Sequence, residues 1–304
     1  MHFAWDNSLT PLLTVAPGDT VVLDTRDSAD GYYHRDSTAE DVARKGPLVG
    51  HPLTGPIHVR DARPGDILAV EILDMRPRSD FGWTAIRPGR GLLPPEDFGD
   101  HFIQIWDLSD GSFARMRQRP EIAVPIAAFP GIIGTALAEP GTFTTMPPRH
   151  NGGNIDCRHL VAGSTIYLPV LREGGLLSLG DAHAAQGDGE VCVTAVEMDG
   201  QVTVRINLIQ GRSIEEPHLR LVSAPGASTN VSPSFHATMA SAPDLHECAR
   251  QAVRYMIAHV VRERGLSREE AYVLCSVCVD LKITQIVDAP NWSVTAVLPE
   301  MVFG

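Results

Sequence analysis

Residues 181–190 hold five side chains able to take part in polar chemistry: Asp181, His183, Gln186, Asp188 and Glu190. Asp181 and His183 are two apart, so an extended chain turns both to one face. A carboxylate and an imidazole so placed suit zinc or a similar divalent metal. Gly187 and Gly189 allow a turn that folds Asp188 and Glu190 back toward them. A polar turn whose aspartates cap backbone amides is the competing account, and the density of polar groups weighs against it. Asn154 and Asp156 repeat the two-residue spacing in Pro147-Pro148-Arg149-His150-Asn151-Gly152-Gly153-Asn154-Ile155-Asp156. There the alternative is an Asx-rich loop. Asp24 and Asp27 end an apolar run, where they face a cleft or pair with surface arginines.

The elements that must position these groups are mostly strands. Leu176-Leu177-Ser178-Leu179 reads as a buried strand leading into the 181–190 cluster. Turn signals at Pro17-Gly18, Pro64-Gly65 and Ala162-Gly163 precede β-branched runs at 20–24, 67–71 and 165–169. Strands are also expected at Glu190–Glu197 and Gln201–Ile209, joined by a hairpin turn at Asp199-Gly200. Residues 76–120, rich in Arg, Pro, Gly and Asp, read as a long loop excursion with short strands.

The pattern changes near residue 242. Apolar residues at three- and four-residue intervals predict a helix from Asp244 to Arg264, stopped by Gly265. Ser267-Arg268-Glu269-Glu270 is a capping box opening a second helix whose apolar run reaches Val279. Strands at Ile283–Val287 and Trp292–Val297 follow. The expected fold is mainly β, a jelly-roll-like or barrel body, with an α+β C-terminal part in which two helices pack on strands. Residues 1–210 are expected to form the body and 211–304 the C-terminal region.

Composition excludes several functions. The chain has 304 residues and a formal net charge of −12, which argues against nucleic acid or an anionic membrane as partner. No run of eighteen apolar residues spans a bilayer. Met1–Asp6 lacks the basic and apolar regions of a signal peptide, so a cytoplasmic chain is expected. Lys45 and Lys282 are the only lysines, and neither lies in a Walker A loop. Cys275 and Cys278 form a C-x-x-C inside a helical pattern without a second pair, which reads as buried core.

His-Asn-Gly-Gly-Asn-Ile-Asp at 150–156, Gly-Asp-Ala-His-Ala-Ala-Gln-Gly-Asp-Gly-Glu at 180–190, and Leu53-Thr54-Gly55-Pro56-Ile57 ahead of Pro64-Gly65-Asp66 resemble the acetamidase/formamidase family. The likeness extends from Trp5-Asp6-Asn7 to Asp280–Gln285. It implies a β-rich fold with jelly-roll-like and α+β parts, metal ions in a cleft, and hydrolysis of short aliphatic amides to carboxylate and ammonia. It also implies homodimers or larger homo-oligomers. Cys157 stands where the family more often has Thr, which makes it a poor family-wide nucleophile.

Other amidase chemistries need a lysine in signatures that neither Lys45 nor Lys282 resembles, and no G-x-S-x-G elbow occurs. Metal-assisted hydrolysis remains. Asp181 and His183 are the expected ligands, with Asp156 as a third, for zinc first and calcium second. Glu190, with Asp188 beside it, is the expected acid–base group. Asn154, Gln186, Asp24 and Asp27 are the expected substrate contacts, with Asn154 or Gln186 as donors to an oxyanion. The rivals are a covalent nucleophile (Ser178, Ser164 or Cys157) and a catalytically idle scaffold of the same shape.

Overall fold

The computed structural model describes residues 1–47, 49–222 and 234–304. Two large sheets carry the fold, one of eleven strands and one of eight, with a two-stranded ribbon beside them. The three turn signals serve one sheet. Gly18, Gly65 and Gly163 take φ of 92°, 94° and 90°, a region that glycine enters without Cβ strain. They launch Thr20–Thr25, Ile67–Pro77 and Thr165–Pro169. In the eight-stranded sheet Thr165–Pro169, Ile67–Pro77, Gly200–Ile209 and Thr20–Thr25 are successive neighbours. Val202, Val204 and Ile206 alternate inward from Gly200–Ile209, as their spacing predicts.

These residues pack with Leu68, Val70, Ile72, Ile166 and Leu168 against Ile57, Val59, Ile133, Leu177 and Leu179 of the eleven-stranded sheet. The body is therefore a sandwich of open antiparallel sheets rather than a barrel. The eleven-stranded sheet branches at Leu177–His183 and has three ends, Pro148–Arg149, Arg119–Pro125 and, through Leu53–Val59, Leu13–Val15, none of which pairs with another.

Both predicted helices form. Leu245–Arg264 is capped by the Asp244 side chain, which accepts from the Glu247 amide, and ends at left-handed Gly265. Arg268–Cys278 opens on the Ser267–Glu270 capping box. They cover Ser234–Ala242 and Trp292–Pro299 with a second core that includes Cys248, Ala252, Met256, Val260, Ala271 and Cys275. The eight-stranded sheet draws strands from both sides of residue 210, since Thr165–Pro169 pairs with His218–Val222.

Three local expectations change. Residues 76–120 contain a meander, Phe81–Ile86, Phe102–Asp107, Phe113–Met116 and Arg119–Pro125, and 87–101 is their longest stretch without regular structure. Within that polar composition Ile103 and Ile105 bury one face of Phe102–Asp107 and Gln104 and Trp106 the other. Residues 191–195 are not a strand, because positive φ at Glu190 and Val193 turns the chain there. Asp199-Gly200 is not a hairpin turn. Glu197–Met198 belongs to the eleven-stranded sheet and Gly200–Ile209 to the other, so the chain crosses between layers at this point. Among the described residues no helix is long and apolar enough to cross a membrane.

Candidate functional site

The Leu177–His183 strand lies at the branch of the eleven-stranded sheet. Phe129–Gly134 pairs along one side of it, while Leu53–Val59 and Glu197–Met198 share the other. Register sets His183 opposite Glu197, and Glu197 opposite Trp83 of the next strand. Sheet pairing thus brings Glu197 Oε1 to 3.2 Å from His183 Nε2. Asp181 Oδ1 lies 3.5 Å from the same nitrogen. Simple alternation does not produce that convergence, because Asp181 has φ of 56°. Asp156 and Glu190 are also left-handed, with φ of 44° and 47°. Such conformations cost a non-glycine residue about 1–3 kcal/mol each, and their concentration here is typical of a site whose surroundings hold it in place.

Asp156 follows the Gly152–Asn154 strand, and its amide donates to Gly131 O. Gly131 is the floor of the cluster. A Cβ there would stand 2.7 Å from Asp156 Oδ1 and 2.9 Å from His183 Cε1. Glu190 arrives on a turn pinned by the C-terminal region, where Gly189 N donates to Thr284 O and Ile286 N to Gly189 O. The same region supplies Asp288, whose Oδ2 accepts from Asn154 Nδ2 at 2.7 Å and whose amide donates to Gln285 Oε1.

Five carboxyls, Asp156, Asp181, Glu190, Glu197 and Asp288, are therefore buried around one imidazole. Asp156 Oδ1 and Oδ2, Asp181 Oδ1 and His183 Nε2 are shielded from solvent without any hydrogen-bond partner. Burial, reinforced by Glu190, pushes the Asp156 carboxyl far up. Burial likewise raises Glu190, and it takes Asp288 to about 6. Burial opposes ionisation of Asp181 too, but the His183 and His51 charges hold it below the usual carboxylate range. Burial would strip the His183 proton, yet Glu197 and Asp181 outweigh it and raise the imidazole. Without protons or a cation, such a concentration of negative charge is expensive to bury. The donor set, one imidazole nitrogen and several carboxylate oxygens with free lone pairs, fits a divalent cation. Asp156, His183 and Glu190, and Asp181, His183 and Glu197, each place ligand atoms within 4.8 Å of one another.

The cluster opens on a partly open cavity of about 140 Å³, whose lining includes Asp181, Glu190, Glu197, Asp288, Trp83 and Met146. Asn154 is on its wall. Both its amide hydrogens are taken, by Met146 O and Asp288, which leaves Oδ1 as a buried acceptor with no partner.

The other expected residues are elsewhere or differently used. Gln186 stands behind His183, with Oε1 2.9 Å from Nδ1 and Nε2 donating to Asp156 O. It holds the imidazole rather than reaching the cavity, and by accepting from Nδ1 it leaves Nε2 facing Asp181 and Glu197. Asp188 faces away and pairs with His159 Nε2 at 3.3 Å. Asp24 is exposed and held by Arg78 at 3.2 Å and by Gln201. Asp27 is buried, but its carboxyl caps its own loop at the amides of Ala29 and Gly31. Its neighbour Ser28 lines the cavity and donates to Glu197 Oε2. Ser178, Ser164 and Cys157 do not line the cavity. Ser178 is paired with His2, Ser164 with His159 O, and burial pushes the Cys157 thiol up to about 12.

Glu197, Asp288 and His51 were not singled out by sequence. The 181–190 density signal stops short of Glu197, and Asp288 lies about a hundred residues further on, in Val287-Asp288-Ala289-Pro290, which reads as an ordinary turn.

The chain has recognisable relatives. A sequence profile of the acetamidase/formamidase family matches residues 1–140 and 137–304. A formamidase of Methylophilus methylotrophus is 28% identical over 374 aligned residues, covering 100% of this chain and 89% of that protein. An acetamidase of Mycolicibacterium smegmatis is 30% identical over 69% of this chain and 66% of its own length. The crystal structure of an acetamidase from Bacillus halodurans superposes with a TM-score of 0.87 at 31% identity, covering 99% of this chain and 96% of that one. With the profile matching from end to end, the chain belongs to the acetamidase/formamidase family.

Proposed function

We propose that this protein hydrolyses a small linear amide to a carboxylate and ammonia, using a divalent cation held by Asp181, His183 and Glu197 with Asp156 behind them. The observation that carries the proposal is the ring of five buried carboxyls around His183, with unpartnered ligand atoms, at the wall of a small cavity. Relatives named formamidase and acetamidase supply the substrate class. A bound cation supplies positive charge that polarises a carbonyl and eases deprotonation of water. The imidazole favours zinc over calcium, which prefers an all-oxygen shell.

The protein's own groups do the rest. Glu190 takes a proton from the attacking water and returns it to the leaving nitrogen as the carbon–nitrogen bond breaks. Asn154 Oδ1, its amide hydrogens already engaged, accepts from the substrate NH₂ and aligns it. Trp83, Met146 and Pro47 give the acyl group an apolar wall, and about 140 Å³ admits only a short one. Assembly of identical copies belongs to the same reading. The strand Asp280–Gln285 ends the eight-stranded sheet; among the described residues its outer edge is bridged only by Gly189 at the Gln285 end, and Leu281 and Ile283 are exposed, and light scattering in solution tests it.

Ammonia release from formamide, acetamide and propionamide, before and after chelation and after adding zinc back, tests the proposal. Turnover of the smaller amides should vanish with chelator and return with zinc, and Ser28→Ala should keep most of it. Full turnover in exhaustively chelated protein, abolished by Ser28→Ala, would replace the proposal with a covalent mechanism.

A further inference from the structure

Three histidines far apart in sequence meet at a second place. His218–Val222 and Ser234–Ala242 are paired antiparallel strands, with His218 opposite Thr238 and Arg220 opposite His236. His218 and His236 are thus diagonal neighbours on one sheet face. The helix Leu245–Arg264 crosses that face and contributes His259. The His236 and His259 rings stack at 3.4 Å, and His218 lies edge-on to both, at 5.4 and 6.1 Å between centroids. One nitrogen of each ring lies within 4.8 Å of the other two.

Among the described residues, two of these nitrogens are unused. His236 Nε2 and His259 Nδ1 are shielded from solvent and have no hydrogen-bond partner. Burial, the neighbouring imidazoles and Arg262 lower the imidazoles, and a turn of one of the two stacked rings about its side-chain torsions would aim both lone pairs at one ion. Three arginines, Arg212, Arg262 and Arg264, share this lining with two acids, Glu263 and Glu300. Arg212 and Arg262 both pair with Glu263 and Arg264 lies over the Phe303 ring, so the imidazole nitrogens rather than an acidic lining must hold the ion. The three rings stand at the wall of a cavity of about 440 Å³ that shares no lining residue with the one beside His183.

We propose that His218, His236 and His259 form a second metal site, taking a zinc-like divalent transition-metal ion with one coordination position open to this cavity. Three imidazoles without thiolate select zinc, cobalt, nickel or copper over calcium and magnesium, which want oxygen. Because the ligands come from two strands and a helix, the ion also ties Leu245–Arg264 to the sheet.

The test uses metal-free full-length protein titrated with cobalt(II) and then zinc. The Asp181→Asn variant, with the first cluster weakened, should still bind one equivalent of cobalt with the intense visible absorption of a four-coordinate site, and zinc should bleach it. His259→Gln and His236→Asn should each hold one equivalent fewer than wild type while keeping the wild-type circular dichroism. In ¹⁵N-histidine-labelled Asp181→Asn protein, zinc should shift three imidazole signals together. Equal cobalt equivalents in wild type and His259→Gln would overturn the proposal. If either histidine variant fails to fold, the labelled protein decides, and unmoved imidazole signals there overturn it as well.

Discussion

At the scale of single residues, burial decides which acids matter. Asp188 and Glu190 are two apart, yet Asp188 pairs with His159 while Glu190 faces the cavity. Glu190→Gln keeps the shape and removes the proton carrier, so kcat should fall by about 10²–10⁴-fold, with metal content by atomic emission unchanged. Asp27 gives a prediction about stability. Burial and the adjacent Asp199 raise its carboxyl to about 7, whereas an unfolded Asp ionises at about 3.9. Between those values the unfolded chain has released a proton that the native state retains. Stability from this group is therefore full below about pH 4 and is lost as pH rises toward 7. Asp27→Asn should flatten the slope of urea-unfolding free energy across that window, by no more than about 4 kcal/mol. An unchanged slope would show that Asp27 is ionised throughout.

At the scale of elements, the site depends on close approach between strands. Gly131 lets Phe129–Gly134 run beneath Asp156 and His183. Gly131→Ala should lower stability by about 1–3 kcal/mol through overpacking, and should weaken zinc binding beyond that loss, measured by calorimetry beside thermal unfolding. Gln186 acts through His183, so Gln186→Leu should reduce zinc affinity about 10–100-fold, while Glu190→Gln leaves it close to wild type. Helix ends were legible locally. The Asp244 cap, Gly265 and the Ser267–Glu270 box stand where their residue types require, since caps are settled by atoms three or four residues away. Strand partnership was not legible. Asp199-Gly200 has the composition of a hairpin turn, yet it joins two sheets, because Gly200–Ile209 pairs with Thr20–Thr25 and Ile67–Pro77 rather than with Glu197–Met198.

At the scale of the molecule, the proposed cation would couple its binding to folding through buried charge. Stripping the cation leaves the carboxyls around His183 to protonate or repel, so chelation should lower the melting temperature, and zinc should restore it in proportion to the logarithm of its concentration. Calorimetric scans with and without chelator check this, and identical scans would remove the ion from the stability of the fold. The sequence by itself determined the β-rich class, the two capped helices, and Asp181, His183, Asp156 and Glu190 as a candidate group. These rest on composition, local turn chemistry and side chains concentrated within a few residues. Only the tertiary structure decided that Glu197 sits opposite His183, that Asp288 arrives from the C-terminal region, that Gln186 and Asp188 serve other partners, and that His218, His236 and His259 meet. Each of those rests on strand register or on a helix crossing a sheet, and contacts between residues distant in sequence leave no local pattern to read.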